Sequence, residues 1–292
     1  MILCFDDYEK QATSLALALG MPCRVIQRHR FPDAENRLTL PAELPKHVIF
    51  CRSLDHPNEK LLELLLAAKT ARSLGAETLS LVAPYLCYMR QDMAFNPGEA
   101  VSQGIVGQYL AELFDNVITV DPHLHRIDHL EQAVPATRAV SLTATAMMAD
   151  FLRDYVEDPI LIGPDSESAQ WVSAVARPNG WQYAICEKIR RGDKDVQIAM
   201  PDIDMLKRTV VIVDDVASSG QTLRTAITEC FSRNAMQVSL LVTHALFGQS
   251  AKQALLAAGA KHIWSTDSVS HDSNAISLCD LLKEAVLELG VD

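Results

Sequence analysis

Apolar residues fall in short runs along this chain, separated by longer stretches in which they recur at three- and four-residue spacing. Such runs suit strands buried on both faces, and the amphipathic stretches suit helices packed against them. The runs predict strands at His47–Cys51, Thr78–Ala83, Val117–Val120, Pro159–Ile162, Tyr183–Cys186, Thr209–Val213 and Val238–Thr243. Helices are predicted at Glu59–Leu74, Leu142–Tyr155, Ala169–Ala176, Thr222–Ser232 and Ala251–Ala258. In the first of these, Leu61, Leu62, Leu65, Leu66 and Ala68 form the expected apolar face around Glu63 and Lys69. Strand and helix alternate, as in crossover units that build a mostly parallel sheet. The predicted class is α/β, with a separate sheet in each half. Gln132–Ser141 carries Pro135 and little periodicity, so it is the expected linker between domains 1–139 and 140–292.

Composition narrows the function. The 292 residues are 49% hydrophobic, which excludes a disordered tail or a fibre. Lys and Arg number 26 against 37 Asp and Glu, a net charge of −11, so broad binding to nucleic acid is not expected. Seven scattered cysteines (Cys4, Cys23, Cys51, Cys87, Cys186, Cys230 and Cys279) give no metal-ligand spacing and suggest a reducing compartment. The opening Met1–Asp7 has no basic region leading into a long apolar stretch, and no segment reaches the ~20 apolar residues of a membrane span. A cytoplasmic location without membrane partners is the expectation.

The segment Thr209–Thr222 carries the most chemistry. An apolar strand runs into Asp214 and Asp215, then into the small residues Ser218, Ser219 and Gly220 and a predicted helix containing Thr222. Ligands in open α/β sheets sit at the carboxyl ends of strands, and a small-residue loop entering a helix offers backbone N–H groups to a phosphate. Paired carboxylates there suit the vicinal hydroxyls of a sugar phosphate. The same residues also read as a solvated Asp pair and an ordinary capped turn. No Gly-Lys-Ser/Thr follows, so this is not a Walker loop.

This segment resembles the phosphoribosyl-diphosphate loop of type I phosphoribosyltransferases and, more closely, that of ribose-phosphate pyrophosphokinases. Five further segments resemble the second family in the same order along the chain. They are Arg30–Glu35, Pro84–Asp92, Val117–His123, Leu161–Asp165 and Ala184–Arg190. The resemblance implies two tandem phosphoribosyltransferase-like (type I) domains, each a mostly parallel sheet flanked by helices. It also implies transfer of a diphosphate from ATP to ribose 5-phosphate, giving phosphoribosyl pyrophosphate and AMP.

By that resemblance Phe31, Asp33, Glu35, Arg90, Gln91 and Asp92 bind ATP, the first three from a neighbouring subunit, so a homo-oligomer, dimer or larger, is expected. Asp214, Asp215, Ser218, Ser219, Gly220 and Thr222 bind ribose 5-phosphate. His123 and Asp165 hold Mg2+, and Lys188 and Arg190 are catalytic, opening a charged catalytic loop over Arg191–Asp195. His125 lies near His123, but no third and fourth ligand follow at zinc spacing. The chain departs from the family pattern at Ala34 in place of Gly, at Met93 and Ala94 in place of basic residues, and at Glu167, Ser218 and Gln221. A phosphoribosyltransferase and a non-catalytic homologue of the synthetase are the competing readings.

Overall fold

A computed structural model describes residues 1–190 and 196–290. The chain divides into two compact units. The first runs from Met1 to Leu142 and takes back Ser268–Ser270 and the segment from Leu278 onward; the second comprises Thr143–Asp267 and His271–Ser277.

In the first unit the elements are β1 (Ile2–Cys4), α1 (Glu9–Leu19), β2 (Cys23–Val25), β3 (Gln27–Arg30), β4 (Asn36–Thr39) and β5 (His47–Cys51). They continue with α2 (Pro57–Ser73), β6 (Thr78–Val82), α3 (Ser102–Leu113), β7 (Asn116–Val120) and β8 (Arg138–Leu142). Six strands form one sheet in the order β2-β1-β5-β6-β7-β8, with every neighbouring pair parallel. The central strands are buried on both faces, so their sequences are continuous apolar runs rather than alternating ones.

The second unit holds α4 (Thr145–Tyr155), β9 (Ile160–Gly163), α5 (Ala169–Ala176), β10 (Tyr183–Ile185), β11 (Glu187–Arg190), β12 (Val196–Ala199) and β13 (Thr209–Ala217). These are followed by α6 (Gln221–Ser232), β14 (Gln237–Ala245), α7 (Gln249–Ala257), β15 (Ala260–Thr266) and β16 (Asn274–Ile276). Its sheet order, β10-β9-β13-β14-β15-β16, is also wholly parallel. Counted within each unit, both sheets read 2-1-3-4-5-6, and each inserts an antiparallel hairpin after its second strand (β3-β4 and β11-β12). The two units therefore share one topology. The last helix, α8 (Cys279–Glu288), buries Leu282, Ala285 and Val286 and packs on α1 of the first unit.

Two sequence expectations change, and one helix stands where none was expected. The segment expected to be a linker contains β8, the edge strand of the first sheet, which is paired residue for residue with β7 from Asn116↔Arg138 to Val120↔Leu142. As an edge strand it exposes Arg138 and Ser141, and that polarity hid it. The apolar face expected on α2 is also rotated. The helix buries Lys60, Glu63, Leu64, Ala67, Ala68 and Ala71, while Leu62 is 55% exposed. Small alanines let the helix sit close to the sheet, and the two buried charges find ionic partners. Finally, α3 was not evident in the pattern because Gly104 and Gly107 weaken it as a helix. Gly107 is required there, since a Cβ would collide with the carbonyl oxygen of Ala133.

Candidate active site

In the second unit the order of strands reverses direction between β9 and β13, the point at which open α/β sheets form a ligand crevice at the carboxyl ends of their strands. Asp165 follows β9. Its Oδ1 accepts from the Glu167 N–H at 3.1 Å, and the Ser168 hydroxyl donates to its carbonyl at 2.6 Å, so the carboxylate caps the short turn Ser166–Ser168. Asp214 and Asp215 lie inside β13, which extends past the expected end at Val213 as far as Ala217. Asp214 is paired with Val242 of β14. Its Oδ1 accepts the Asp215 N–H at 3.0 Å, and Asp215 Oδ1 accepts the Val216 N–H at 2.8 Å. Asp215 is only 2% exposed. Burial pushes the Asp214 carboxyl well above the ordinary carboxylate range, and the negative charges of Asp215 and Asp165 push it further.

Beyond β13 the chain turns through exposed Ser218 and Ser219 and reaches α6 at Gln221. Gly220 makes this turn with a φ of +72°, and a Cβ there would lie 3.4 Å from Leu255 Cδ1. Gln221 is exposed, and its N–H leans on the Ser219 hydroxyl at 3.4 Å. Thr222 occupies the first turn of α6. The twelve-residue helix thus presents its amino end beside three carboxylates. Such a site suits a ligand with hydroxyls at one end and a phosphate at the other. Lys188 and Arg190 lie on β11, opposite Ile198 and Val196 of β12. The expected catalytic loop at 191–195 falls outside the described residues.

In the first unit Pro84–Asp92 follows β6 and His123 follows β7, so both sit on one edge of the sheet. Leu86, Cys87 and Met89 are buried in the core and anchor the first loop. The start of α3 holds it too, through Gln103 Nε2 to the Met89 carbonyl at 3.0 Å and the Gln103 N–H to the Gln91 carbonyl at 3.1 Å. Arg90 and Gln91 are left exposed. Asp92 is not: its carboxylate accepts two bonds from Arg126, at 2.7 and 2.9 Å. The imidazoles of His123 and His125 meet edge to face, with their Nε2 atoms within hydrogen-bonding reach. Two residues of these loops, Tyr88 and Asp121, hold left-handed backbone at φ 64° and 40°, a strain that tends to gather at functional loops.

Phe31, Asp33 and Glu35 form the exposed tip of the β3-β4 hairpin. Among the described residues no hydrogen bond or ion pair joins this tip to Arg90–Asp92. The Phe31 ring meets His29 edge-on at 4.8 Å, and Asp33 Oδ1 accepts the Glu35 N–H at 3.2 Å. Ala34 keeps a left-handed φ of 73° although it stands where the family pattern has glycine. Left-handed backbone costs an L-residue roughly 1–2 kcal/mol, so Ala34→Gly is expected to stabilise the first unit by about 1 kcal/mol in urea unfolding. An unchanged or lower midpoint would contradict that strain.

The crevice of the first unit that corresponds to β9/β13 lies between β1 and β5, and ion pairs fill it. Arg52, 1% exposed, pairs with Asp7 at 2.7 Å and with buried Glu63 at 2.6 Å, and its guanidinium lies over the Phe5 ring at 3.8 Å. Arg28 and Asn36 reach Glu63 as well, and Lys60 bonds Asp55 at 2.7 Å and the Ser53 carbonyl at 2.9 Å. Sequence spacing gave no sign of Arg52 or Arg126 as key residues, because their partners lie far away in the chain.

Residues 1–113 match the family model described as the N-terminal domain of ribose phosphate pyrophosphokinase, and residues 136–280 match the phosphoribosyl transferase domain. A ribose-phosphate pyrophosphokinase from Methanopyrus kandleri is 32% identical over 99% of both chains. Another, from Saccharolobus solfataricus, is 30% identical over 94% of this chain and 95% of its own. The crystal structure of phosphoribosylpyrophosphate synthetase from Mycobacterium smegmatis superposes with a TM-score of 0.85 at 18% identity, covering 99% of this chain and 98% of that one, so the fold is shared. With two matched domains and a full-length relative above 30% identity, the chain belongs to the ribose-phosphate pyrophosphokinase family.

Proposed function

We propose that this enzyme moves the β,γ-diphosphate of Mg-ATP onto the anomeric hydroxyl of ribose 5-phosphate, releasing phosphoribosyl pyrophosphate and AMP. The observation that carries the reading is the crevice of the second unit, where Asp165, Asp214 and Asp215 stand beside a Ser218–Gly220 turn into α6 in a full-length member of that family. Asp214 and Asp215 accept hydrogen bonds from the ribose hydroxyls. Ser218, Ser219, Gly220 and Thr222 hold the 5-phosphate with hydroxyls and backbone N–H groups. In the first unit Arg90, Gln91 and Asp92 serve the nucleotide, and Phe31, Asp33 and Glu35 meet the adenine of a neighbouring copy, so the working form is a homo-oligomer.

The anomeric oxygen attacks the β-phosphorus as its proton passes to water. The bond from that phosphorus to the oxygen bridging to the α-phosphate breaks, and its electron pair leaves with AMP. Lys188 and Arg190 balance the charge that builds on the transferred group. The crowding of carboxylates around Asp214 suits a hard cation with oxygen ligands, and Asp165 fits magnesium on that ground; His123 is assigned to metal on the nucleotide side by family likeness. When bound, magnesium draws charge from the phosphate oxygens. Among the described residues no helix is long and apolar enough to cross a membrane, and a cytoplasmic location is part of this reading.

Incubation with ribose 5-phosphate, ATP and magnesium is expected to give AMP in step with phosphoribosyl pyrophosphate. Release of ADP would indicate a sugar kinase, and absence of turnover a transferase or a non-catalytic homologue. Lys188→Ala is expected to lower kcat about 100-fold with the KM for ribose 5-phosphate within about twofold. An unchanged kcat would remove Lys188 from the chemistry.

A further inference from the structure

The ion pair between Asp92 and Arg126 has an uneven exposure that gives it a direction. The Asp92 carboxylate is 5% exposed, whereas the Arg126 side chain is 53% exposed. Both bonds to the carboxylate come from Nη1, at 2.7 and 2.9 Å, so Nη2 and Nε remain for a second acceptor. Arg126 lies on the segment after β7, and Asp92 on the segment after the neighbouring β6. The ion pair therefore clasps the two loops that carry Arg90, Gln91 and His123 on a single sheet edge. The residues after Asp92 are Met93 and Ala94, so the chain itself supplies no cation at those positions.

We infer that Arg126 is a further contact to the phosphates of the nucleotide donor, supplying N–H donors that the side chains of Met93 and Ala94 do not provide, and that Asp92 is a positioning residue acting through it. The inference rests on the nucleotide assignment of Arg90 and Gln91. A guanidinium offers its donors in a fixed planar fork, and one edge held by a carboxylate leaves the other oriented toward a phosphate. Because the pair is neutral overall, its contribution is directed N–H donors more than net charge. The expected effect is accordingly selective for the polyphosphate end of the ligand.

The test is equilibrium binding by calorimetry to the full-length chain, comparing the magnesium complex of the α,β-methylene analogue of ATP, in which the bond the reaction breaks is replaced, with AMP. Arg126→Ala is expected to weaken the analogue about tenfold and to leave AMP within about twofold. Arg126→Lys, which keeps the pairing charge for Asp92, should recover part of the loss. Asp92→Asn should weaken the analogue about threefold by releasing the guanidinium. If Arg126→Ala binds the analogue as the unaltered chain does, or weakens both ligands alike, the assignment is overturned. It is overturned equally if the unaltered chain binds neither ligand. Failure of the proposed reaction has a different signature, namely an unaltered chain that binds the analogue yet releases no AMP from ATP in the presence of ribose 5-phosphate.

Discussion

Asp214→Asn is expected to raise thermal stability while lowering kcat/KM for ribose 5-phosphate about 100-fold, two hydrogen bonds to a charged acceptor being worth roughly 1.5 kcal/mol each. The opposite signs follow from the same geometry. Burial, Asp215 and Asp165 raise the folded-state affinity of the Asp214 carboxyl for its proton above that of the unfolded chain. Stability is therefore lost as pH rises from the ordinary carboxylate value through the raised one, since the folded chain must give up a proton it holds more tightly. An asparagine removes that loss. The stabilisation by Asp214→Asn should accordingly be larger at pH 8 than at pH 4, which calorimetric melts at the two pH values will measure. A binding crevice that is less stable ionised is the pattern expected where structure is held ready for a cationic or hydroxylic ligand. Equal melting temperatures at pH 8, or an unchanged kcat/KM, would contradict this account of Asp214.

Arg52→Ala is expected to destabilise the first unit by about 3 kcal/mol, the lower end of the range for removing one member of a buried ion pair. The low end applies because Glu63 keeps Arg28 and Asn36, and Asp7 keeps Lys60 at 3.5 Å. Burial opposes ionisation of Asp7, but Arg52, Lys60 and Arg28 together outweigh it and hold its carboxyl below the usual range. This contribution is fully present above the ordinary carboxylate value and disappears as pH falls through the depressed one. Urea unfolding at neutral pH should show the loss, and the double change Arg52→Ala with Glu63→Gln should cost about 1 kcal/mol less than the sum of the two single changes. Additive effects would mean that the pair does not act as a unit. The wider consequence concerns asymmetry. Two units of one topology carry equivalent crevices, and the β1/β5 crevice is filled by Arg52, Asp7 and Glu63 while the β9/β13 crevice holds three carboxylates and a glycine turn. On the proposed reading, that difference leaves the sugar phosphate to the second unit and the nucleotide to the first.

Residues whose chemistry is local were the legible ones. The runs Thr78–Val82 and Val238–Thr243 are buried on both sides, and burial leaves a continuous apolar signature. The acidic strand and its glycine turn were legible for a similar reason, since a tight turn from a strand into a helix is built from adjacent small residues. What depends on distant partners was not. Leu62 and Leu66 looked like core positions, yet Lys60 and Glu63 are the buried ones, because Asp55 and Arg52 neutralise them. Edge strand β8, with Arg138 and Ser141 turned outward, carried no apolar run to announce it. The hairpins β3-β4 and β11-β12 lie outside the main sheets, and β3 is exposed along its whole length, so no hydrophobic period marks it. Arg126 became visible only through Asp92, 34 positions earlier.

The reaction is defined by which phosphorus the sugar attacks, and positional labelling reads that directly. With ATP carrying radioactive phosphorus at the β position in one reaction and at the γ position in another, ribose 5-phosphate and magnesium complete the mixture. Both labels should appear in the sugar product, and the released nucleotide should be unlabelled AMP. Transfer of the γ label alone, with the β label retained in ADP, would contradict the account.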